Sequence, residues 1–311
     1  MSKRRKKILV VLGGVSRERD VSLDSGKACV KAMKKLGYIV KIFDPLKNSL
    51  SEIEKFKIDI IFNALHGKEG EDGVAQSYFE YLKIPYTHSG VIASMKAMNK
   101  EISKEIFKKN KILSPPYFVI NVNSYKKNIL KKLIKEKKLT YPIVIKPINE
   151  GSSIGVKICK NYRETKKNMK LLIKSYDSLM FENFIGGQEI QVGVINNKAL
   201  GAIELKPKRG FYDYKAKYFK SAKTTHIMPA EINKIKYNEI LRIAEKTHRS
   251  LGCRGVTRSD FKFFKNKFYL LEINTQPGMT DLSLVPEIAR YKGISFQKLV
   301  NQMVLDASIN R

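Results

Sequence analysis

The first hundred residues of the chain alternate between strand and helix signals. Lys7–Leu12 is a continuous apolar run, typical of a strand buried on both faces of a parallel sheet. Ser22–Leu36 repeats apolar residues at helical spacing and stops at Gly37, a residue that commonly ends helices. Two more strand-like runs follow, at Tyr38–Phe43 and Asp59–Leu65, and a short one lies at Ile84–Tyr86. Because consecutive βαβ units form parallel sheets, the sequence predicts a small doubly wound α/β domain at the start of the chain.

The remainder of the chain departs from this alternation. Short strands are predicted at 117–119, 143–146 and 156–159, with a Lys-rich helix at 124–136, and longer hairpin strands begin near residue 189. Mixed strands of this kind indicate an α+β arrangement within a chain that is α/β as a whole. The predicted domains are therefore three, at residues 1–98, 99–188 and 189–311.

The chain carries a formal net charge of +31, a feature shared with nucleic-acid-binding proteins. Its lysines are spread over the whole length, however, and no nucleic-acid-binding motif accompanies them. We interpret these lysines as solvated surface residues whose charge attracts anionic substrates. The alternative is that the chain is a basic nucleic-acid-binding protein. No apolar run approaches the roughly 20 residues of a membrane span. Three widely spaced cysteines fit reduced thiols, so we expect a cytoplasmic protein without membrane insertion.

Two strand-like runs near the end of the chain form a predicted hairpin centred on Asn266. Symmetrical pairing sets Asp260 opposite Glu272 and Arg258 opposite Asn274. Opposed carboxylates repel each other, so fold stability alone does not account for them. Together with the Asn274 amide they suit Mg²⁺, which commonly adds waters and phosphate oxygens to its shell. The hairpin therefore predicts a metal site, with Arg258 beside it to stabilise developing negative charge.

The opposite face of this hairpin is predicted to be apolar. The same register sets Phe261 opposite Leu271 and Phe263 opposite Tyr269, with Ile273 on the same side. Because side chains alternate between the faces of a strand, these five residues would point into the core. The alternative is a surface hairpin whose charged side chains merely face solvent.

A Gly/Ser-rich segment, Glu150–Gly155, lies between two predicted strands. Such a segment lets backbone N–H groups approach phosphate oxygens. It lacks the Gly-Lys-Ser/Thr ending of a Walker loop and precedes a strand, so it predicts a hairpin over nucleotide phosphates. Lys146 on the preceding strand is a candidate phosphate contact. Glu182, after an apolar run, is a candidate acceptor for an adenine amino group or a ribose hydroxyl.

Five segments are the most specific parts of the sequence. They are Gly13–Ser22, Ala64–Gly67, Glu150–Gly155, Phe211–Tyr218 and Leu271–Thr280. In this order they resemble the D-alanine–D-alanine ligases of the ATP-grasp superfamily, and the likeness runs essentially from end to end. The resemblance implies an ATP-grasp fold behind a doubly wound domain, and ATP-dependent synthesis of D-alanyl-D-alanine for peptidoglycan precursors. It also implies two Mg²⁺ or Mn²⁺ ions and a homodimer.

The resemblance implies a role for each matching residue. The implied nucleotide contacts are Lys100, Lys146, Ser153, Glu182 and Glu189. The implied metal ligands are Asp260, Glu272 and Asn274. The implied catalytic residues are Glu18, Ser152, Lys217, Tyr218, Arg258 and Gly278. The implied substrate contacts are His66, Tyr212, Ser283 and Leu284, although His66 has the alternative of simply capping the segment after its strand.

Among the catalytic residues, Glu18 is implied to bind the ammonium group of the first D-alanine. It would also form a hydrogen-bonded group with Ser152 and Tyr218. Arg258 and the Gly278 backbone would stabilise the tetrahedral intermediate.

The second substrate separates the two nearest interpretations. The resemblance implies that Ser283 and the Leu284 backbone hold the carboxylate of the second D-alanine, and that Lys217 contacts the transferred phosphate. Tyr218 favours D-alanine, because D-lactate-specific relatives usually lack this tyrosine. The alternative within the superfamily is another carboxylate–amine ligase, of the D-alanine–D-lactate type.

Overall fold

The computed structural model describes residues 5–124, 129–207, 224–280 and 283–310. Within these ranges the chain forms three sheets with helices packed around them, an arrangement that mixes parallel and antiparallel strands. None of the helices in these ranges is long and apolar enough to cross a membrane.

The first sheet contains three parallel strands in the order β2-β1-β3. Its elements are β1 (Lys7–Val11), α1 (Arg19–Lys35), β2 (Ile39–Phe43), a 3₁₀ helix (Leu50–Lys55), β3 (Ile60–Asn63), α2 (Val74–Tyr81) and α3 (Val91–Met98). Ile8 and Val10 pack with residues of α1, whereas Leu9 and Val11 pack on the other face with Phe79. Strand β1 is therefore buried on both faces, as its continuous apolar run predicts.

The second sheet is antiparallel, with strands in the order β4-β7-β5-β6. Its elements are α4 (Lys100–Lys109), β4 (Tyr117–Asn121), a 3₁₀ turn (Val122–Ser124), α5 (Ile129–Glu136), β5 (Ile143–Pro147), β6 (Lys157–Cys159), α6 (Tyr162–Leu172) and β7 (Ser178–Asn183). Phe118, Ile145 and Phe181 on one face pack against α5 and α6. Because side chains alternate along a strand, Lys146 and Glu182 lie on the opposite face.

The third sheet is antiparallel, with strands in the order β10-β9-β8-β11-β12. Its elements are β8 (Gln188–Ile195), β9 (Lys198–Lys206), β10 (Thr225–Ile227), α7 (Lys234–Leu251), β11 (Val256–Phe264), β12 (Lys267–Asn274), α8 (Leu284–Tyr291) and α9 (Phe296–Asp306). Its two hairpin turns lie at Asn196-Asn197 and Lys265-Asn266, and all four residues have positive φ. Two-residue turns of this kind match the twist of the strands that they join.

Two predicted elements differ from the structure. The short strand predicted at Ile84–Tyr86 is reduced to isolated bridges that pair Tyr86 with Ile61 and with Ser308. The Lys-rich helix predicted from residue 124 is described from Ile129, and residues 125–128 lie outside the described ranges.

The β11–β12 hairpin has the predicted register where its polar residues lie. Arg258 pairs with Asn274, and Asp260 pairs with Glu272. Strand β8 lies on the other side of β11, with Gln191 opposite Asp260. The two carboxylates are therefore direct neighbours across the strands, on the face that the sequence predicts to be polar.

A β-bulge after Asp260 makes the rest of the predicted register wrong. Phe261 lies opposite Leu270 instead of Leu271, and Phe263 lies opposite Phe268 instead of Tyr269. The extra residue in β12 reverses the faces beyond it, so Leu270 and Phe268 are buried in the core while Leu271 lines a cleft. The predicted core positions of Leu271 and Tyr269 are therefore wrong.

Two hydrophobic clusters join distant parts of the chain. Helix α9 packs against α1, and its residues Val300 and Met303 share a cluster with Ile8 and Val10. Phe107 of α4 lies in the cluster under the third sheet, although α4 precedes the second sheet in sequence. Each predicted domain contains one sheet, and the predicted domain limits stay a prediction.

An ion pair holds the loop that follows β1. Arg19 Nη1 and Nη2 donate to the two carboxylate oxygens of Asp44 at 3.0 and 2.6 Å. The backbone N–H of Gly14 donates to the same carboxylate at 3.1 Å. Hydrogen bonding to Arg19 lowers the pKa of Asp44 to about 2. The pair therefore fixes Gly14, four residues before Glu18, against the end of β2.

We predict that Asp44→Asn lowers the free energy of unfolding by about 2 kcal/mol at neutral pH, because the folded carboxyl has a lower pKa than the unfolded one. The pKa of this carboxyl is lower in the folded than in the unfolded protein. The resulting stabilisation is fully present above the unfolded pKa of about 4 and is lost as the pH falls toward 2. Urea unfolding at a series of pH values measures this. Exposed Asp24 on α1 supplies the control Asp24→Asn. A difference between wild type and Asp44→Asn that stays constant as the pH falls from 5 to about 3 would contradict the prediction.

Candidate active site

A cleft between the second and third sheets encloses about 780 Å³ of space, part of it open to solvent. The predicted nucleotide contacts that line it are Lys100, Lys146, Ser153, Glu182 and Glu189. Its apolar lining includes Val144, Val156, Phe184 and Leu271, which offers a wall for a planar base. We call this space the nucleotide cleft.

Two lysine–glutamate contacts lie in the nucleotide cleft, one buried and one partly exposed. Lys146 Nζ is 2.5 Å from Glu182 Oε1, and Lys262 Nζ is 3.0 Å from Glu189 Oε2. Burial alone would raise the pKa of the Glu182 carboxyl, but neighbouring lysines outweigh it and hold the pKa below its usual value. Glu182 is therefore an ionised hydrogen-bond acceptor at neutral pH.

Lys100 connects the Gly/Ser-rich segment Glu150–Gly155, which we call the phosphate loop, to the third sheet. Its Nζ donates to the Glu150 carbonyl oxygen and lies 3.5 Å from Glu272 Oε2. Burial lowers the pKa of Lys100 below its usual value, although Glu272 opposes this effect. A cation at this position can attract phosphate oxygens and hold the loop at the same time.

The polar face of the β11–β12 hairpin opens into the same space. Asp260 is only 4 % exposed, and Arg258 donates to both of its carboxylate oxygens at 2.8 and 2.9 Å. Asn274 accepts a hydrogen bond from the Gln276 backbone N–H at 2.7 Å. Arg258 and Lys100 thus neutralise the two opposed carboxylates.

The donor chemistry of this face fits a hard divalent cation. Asp260, Glu272 and Asn274 supply two carboxylates and an amide oxygen, the ligand types that Mg²⁺ prefers. Within the described ranges no group of three or more His, Cys, Asp or Glu side chains is arranged to hold a metal. A cation at this face would complete its shell with waters and phosphate oxygens, as is common for Mg²⁺.

A second cleft adjoins the first. Its lining includes the predicted residues Glu18, Ser152, Arg258 and Asn274. It shares Lys100, Glu150, Gly151 and Glu272 with the nucleotide cleft. We call this second space the substrate cleft. The two clefts therefore meet where the phosphate loop passes Lys100 and Glu272.

Glu18 and Ser152 meet at this junction although they are far apart in sequence. Ser152 Oγ donates to Glu18 Oε1, and Glu18 is 5 % exposed. Two glycines leave room for the Glu18 carboxylate: a Cβ added at Gly151 would lie 2.7 Å from Oε2, and one added at Gly67 would lie 2.8 Å from it. The first domain thus supplies a carboxylate to the loop of the second sheet.

The phosphate loop has an unusual backbone. Ser152 and Ser153 have φ values of 48° and 60°, and Gly155 has a φ of 74°. Non-glycine residues adopt this left-handed conformation at a cost, and such residues often occur at functional sites. Arg17 Nη1 also donates to the Tyr176 hydroxyl at 3.2 Å, beside this loop. The loop is therefore held in a specific shape next to Glu18.

His66 lies beside the substrate cleft but does not line it. Its Nδ1 is 3.0 Å from Glu71 Oε1, and its Nε2 is 3.4 Å from Ser25 Oγ. Ser25 Oγ in turn accepts from the Met279 backbone N–H at 3.0 Å. His66 thus contacts the loop after β12 through Ser25. Of these hydrogen-bonded residues, Glu71 is the one that lines the substrate cleft.

Gly278, Ser283 and Leu284 lie together after β12. A Cβ at Gly278 would lie 2.8 Å from Ser283 Oγ, which accepts from the Thr280 backbone N–H at 2.9 Å. Ser283 is the N-cap residue of α8 but makes no side-chain capping bond. Backbone N–H groups at the start of α8 can therefore receive an anion.

Three of the predicted residues, Tyr212, Lys217 and Tyr218, lie outside the described ranges. Three residues at or beside the clefts, Lys262, Glu71 and Lys104, were not predicted from the sequence. Lys262 follows Asp260 by two positions on β11, so strand alternation could have placed it on the polar face. Glu71 and Lys104 have no such signal.

Comparison with known proteins agrees with this geometry. Residues 40–89 match the family model described as "D-ala D-ala ligase N-terminus", and residues 106–305 match "D-ala D-ala ligase C-terminus". The chain belongs to the D-alanine–D-alanine ligase family. A D-alanine--D-alanine ligase from Pelagibacter ubique is 59% identical over 306 residues, which cover 98% of this chain and 99% of the relative. Another from Geotalea uraniireducens is 43% identical, covering 98% and 96%.

Solved ligase structures have the same fold. A D-alanine–D-alanine ligase from Bacillus anthracis has a TM-score of 0.84 and 31% identity, and the match covers 97% of both chains. A structure from the same organism, complexed with ATP, matches with a TM-score of 0.84, 29% identity and coverage of 97% of both chains. The expected mixed α/β, ATP-grasp class is confirmed by these matches.

We predict that Gly151→Ala lowers kcat/KM of the ligase about a hundredfold, because the added methyl group displaces the Glu18 carboxylate and such misplacements are costly. The backbone of Gly151 lies outside the left-handed region, so alanine fits its conformation. Gly186→Ala is the matched control, since its nearest atom would be an ordinary 3.9 Å away. Steady-state kinetics measure the effect, and equal kcat/KM values for the two variants would contradict it.

Proposed function

We propose that this chain uses ATP to join two D-alanine molecules into D-alanyl-D-alanine, a precursor of peptidoglycan. One observation carries the proposal: the nucleotide cleft and the substrate cleft share Lys100, Glu150, Gly151 and Glu272. A phosphate group at this junction lies between a nucleotide on one side and a small carboxylate substrate on the other. Phosphoryl transfer depends mainly on such positioning and on charge neutralisation.

In the first step, a carboxylate oxygen of the first D-alanine attacks the γ-phosphorus of ATP. The bond to the β–γ bridging oxygen breaks, which gives an acylphosphate and ADP. Glu18 binds the ammonium group of this substrate, while Lys100 and Lys146 attract the phosphates. Ser152 and Ser153 cover the reacting groups, since an acylphosphate must be kept from water.

In the second step, the amine of the second D-alanine attacks the carbonyl carbon of the acylphosphate. The bond from this carbon to the phosphate oxygen breaks, and phosphate and the dipeptide are released with a proton. Arg258 and the Gly278 N–H stabilise the negative charge on the tetrahedral intermediate. Ser283 and the Leu284 N–H hold the carboxylate of the second substrate at the start of α8.

Asp260, Glu272 and Asn274 are the proposed ligands of two Mg²⁺ or Mn²⁺ ions. Such ions, when bound with phosphate oxygens, neutralise the charge of the triphosphate. The chain supplies Lys100 and Arg258 next to these ligands, so the carboxylates are neutralised in the protein itself.

The roles proposed for Tyr212, Lys217 and Tyr218 rest on the resemblance. Tyr218 joins Glu18 and Ser152 in closing the site, Lys217 contacts the transferred phosphate, and Tyr212 contacts substrate. The presence of Tyr218 favours D-alanine over D-lactate as the second substrate.

We further propose a homodimer that works in the cytoplasm. The dimer rests on the resemblance to the family, and sedimentation of the purified chain tests it. A compartment that keeps thiols reduced suits the three free, buried cysteines.

We predict that the purified chain, given ATP, Mg²⁺ and D-alanine, forms ADP, phosphate and dipeptide in equal amounts. Asp260→Asn and Glu272→Gln should each lower the rate roughly a hundredfold or more, because they remove charge at the phosphate junction. Coupled ADP detection and mass spectrometry of the dipeptide measure both results.

Glu136→Gln on the exposed surface of α5 is the control, and it should retain the wild-type rate. Equal rates with L-alanine, or with D-alanine plus D-lactate at neutral pH, would overturn the substrate assignment. Full activity of Glu272→Gln would remove the metal assignment. Tight, salt-dependent binding of nucleic acid without ligase activity would favour the basic nucleic-acid-binding alternative.

A further inference from the structure

Lys104 is a buried cation with no place in the proposed mechanism. It lies on α4, one turn after Lys100, and its side chain is 0% exposed. Unlike Lys100, it lines neither the nucleotide cleft nor the substrate cleft. Burying an ammonium group is costly unless a partner compensates. The contacts of Lys104 therefore indicate what the buried charge does.

The contacts of Lys104 converge on one carboxylate. Its Nζ is 3.0 Å from Glu182 Oε2 and 5.3 Å from the centre of the Tyr117 ring. The other oxygen of the same carboxylate, Oε1, faces Lys146 at 2.5 Å. Glu182 thus lies between one lysine that lines the nucleotide cleft and one behind it.

The geometry leaves Glu182 able to accept a further hydrogen bond from the cleft. Lys104 Nζ is in ionic contact with Oε2, the buried oxygen behind the cleft. Glu182 lines the nucleotide cleft, and a carboxylate oxygen has lone pairs for more than one donor, so a ligand can donate to it beside Lys146. Lys104 therefore contributes its charge from behind the carboxylate, without entering the cleft.

The charge of Lys104 acts on the protonation of Glu182. Burial raises the pKa of this carboxyl, and the charge of Lys104 is the largest single influence that lowers it again. Burial also lowers the pKa of Lys104, to about 8, so the lysine is still mostly protonated at neutral pH. Without Lys104, the effect of burial on the pKa of Glu182 would lose its largest single opponent.

The neighbours of Glu182 indicate which part of a nucleotide it meets. Val144 lies opposite Glu182 on β5, and Phe184 follows it by two residues. Apolar side chains suit the faces of a purine base better than a ribose or phosphates. A carboxylate at the edge of such a wall accepts the 6-amino group of adenine.

We propose that Lys104 is a positioning residue that keeps Glu182 an ionised acceptor for the adenine 6-amino group, and so makes the ligase select ATP over 6-oxopurine nucleotides. The inference rests on the proposed function, because it assumes that ATP occupies the nucleotide cleft. An ionised carboxylate repels a 6-oxo group, since both are acceptors, whereas a protonated carboxyl donates to it. Loss of Lys104 therefore weakens ATP binding and improves binding of the 6-oxo analogue.

The test compares ATP with inosine triphosphate in wild type and Lys104→Met, which keeps an unbranched side chain but removes the charge. We expect KM for ATP to rise roughly tenfold, and the ratio of kcat/KM for ATP to that for inosine triphosphate to fall by roughly tenfold or more. KM for D-alanine should stay within about twofold of wild type, because the substrate cleft does not include Lys104.

Lys108→Met is the matched control, since it removes an exposed lysine one turn further along the same helix. It should leave the nucleotide ratio unchanged. An unchanged ratio in Lys104→Met as well would overturn the proposal. So would a uniform fall in kcat with both nucleotides at unchanged KM, because this is what a merely structural lysine predicts.

A double-mutant cycle with Glu182→Gln tests whether Lys104 affects nucleotide preference through the Glu182 carboxylate. Once Glu182 is neutral, Lys104→Met should change the nucleotide ratio by less than about twofold, since Lys104 acts through the carboxylate. Independent, additive effects would contradict the proposal. If Lys104→Met does not fold, Lys104→Gln replaces it, and the rise in melting temperature with saturating ATP or inosine triphosphate gives the same comparison.

The same experiment separates this inference from the proposed function. A wild-type chain that forms no dipeptide from ATP and D-alanine would overturn the proposed function. A chain that forms dipeptide, and whose Glu182→Gln variant keeps the wild-type nucleotide ratio, would overturn only the role of Lys104 and Glu182.

Discussion

Two like charges, Asp260 and Glu272, face each other across β11 and β12, and much of the site is arranged around them. Arg258 holds the first carboxylate with two hydrogen bonds, and Lys100 lies beside the second. Lys100 also binds the carbonyl oxygen of Glu150, so the compensation of charge on the third sheet sets the position of the phosphate loop on the second. Without a ligand, these two cations neutralise the carboxylates. They also lie where a bound triphosphate would bring its own negative charge. The site is therefore balanced both for anions and for the metal ions that accompany them.

Glycines are as important for this site as charged residues. Gly67 and Gly151 come from different sheets, and each leaves space that the Glu18 carboxylate fills. The same carboxylate accepts from Ser152, so the three parts of the chain meet within a few ångströms. The Arg19–Asp44 pair fixes the start of the loop that carries Glu18. A feature that looks local in the sequence, a Gly-Gly turn after a strand, thus contributes to an active site built from three sheets.

Sequence reasoning predicted what depends on periodicity and symmetry. The burial of β1 on both faces follows from its unbroken apolar run, and the pairing of Asp260 with Glu272 follows from counting outward from a turn. The same counting failed beyond Asp260, because a bulge inserts one residue and no residue type in β12 marks it. The roles of individual residues were inferred from resemblance to a family. The chain belongs to that family, but the roles of its residues stay predictions.

Contacts between distant segments were beyond prediction from one sequence. Lys104 looks like any lysine on a Lys-rich helix, and only the fold shows that it faces a buried carboxylate. Glu71 reaches the substrate cleft through a loop whose path has no periodic signal. Likewise, the sharing of Phe107 of α4 with the core of the third sheet depends on how helices pack, which local patterns do not encode.

The packing of α9 against α1 has a consequence for how the chain acquires its structure during translation. A ribosome makes β1 and α1 long before Val300 and Met303, which share a hydrophobic cluster with Ile8 and Val10. This cluster therefore stays incomplete while the intervening sheets are synthesised, and incompletely packed apolar surface is what makes nascent chains aggregate or recruit chaperones. Completion of this core is a late event in synthesis, and it joins two segments that lie far apart in the sequence.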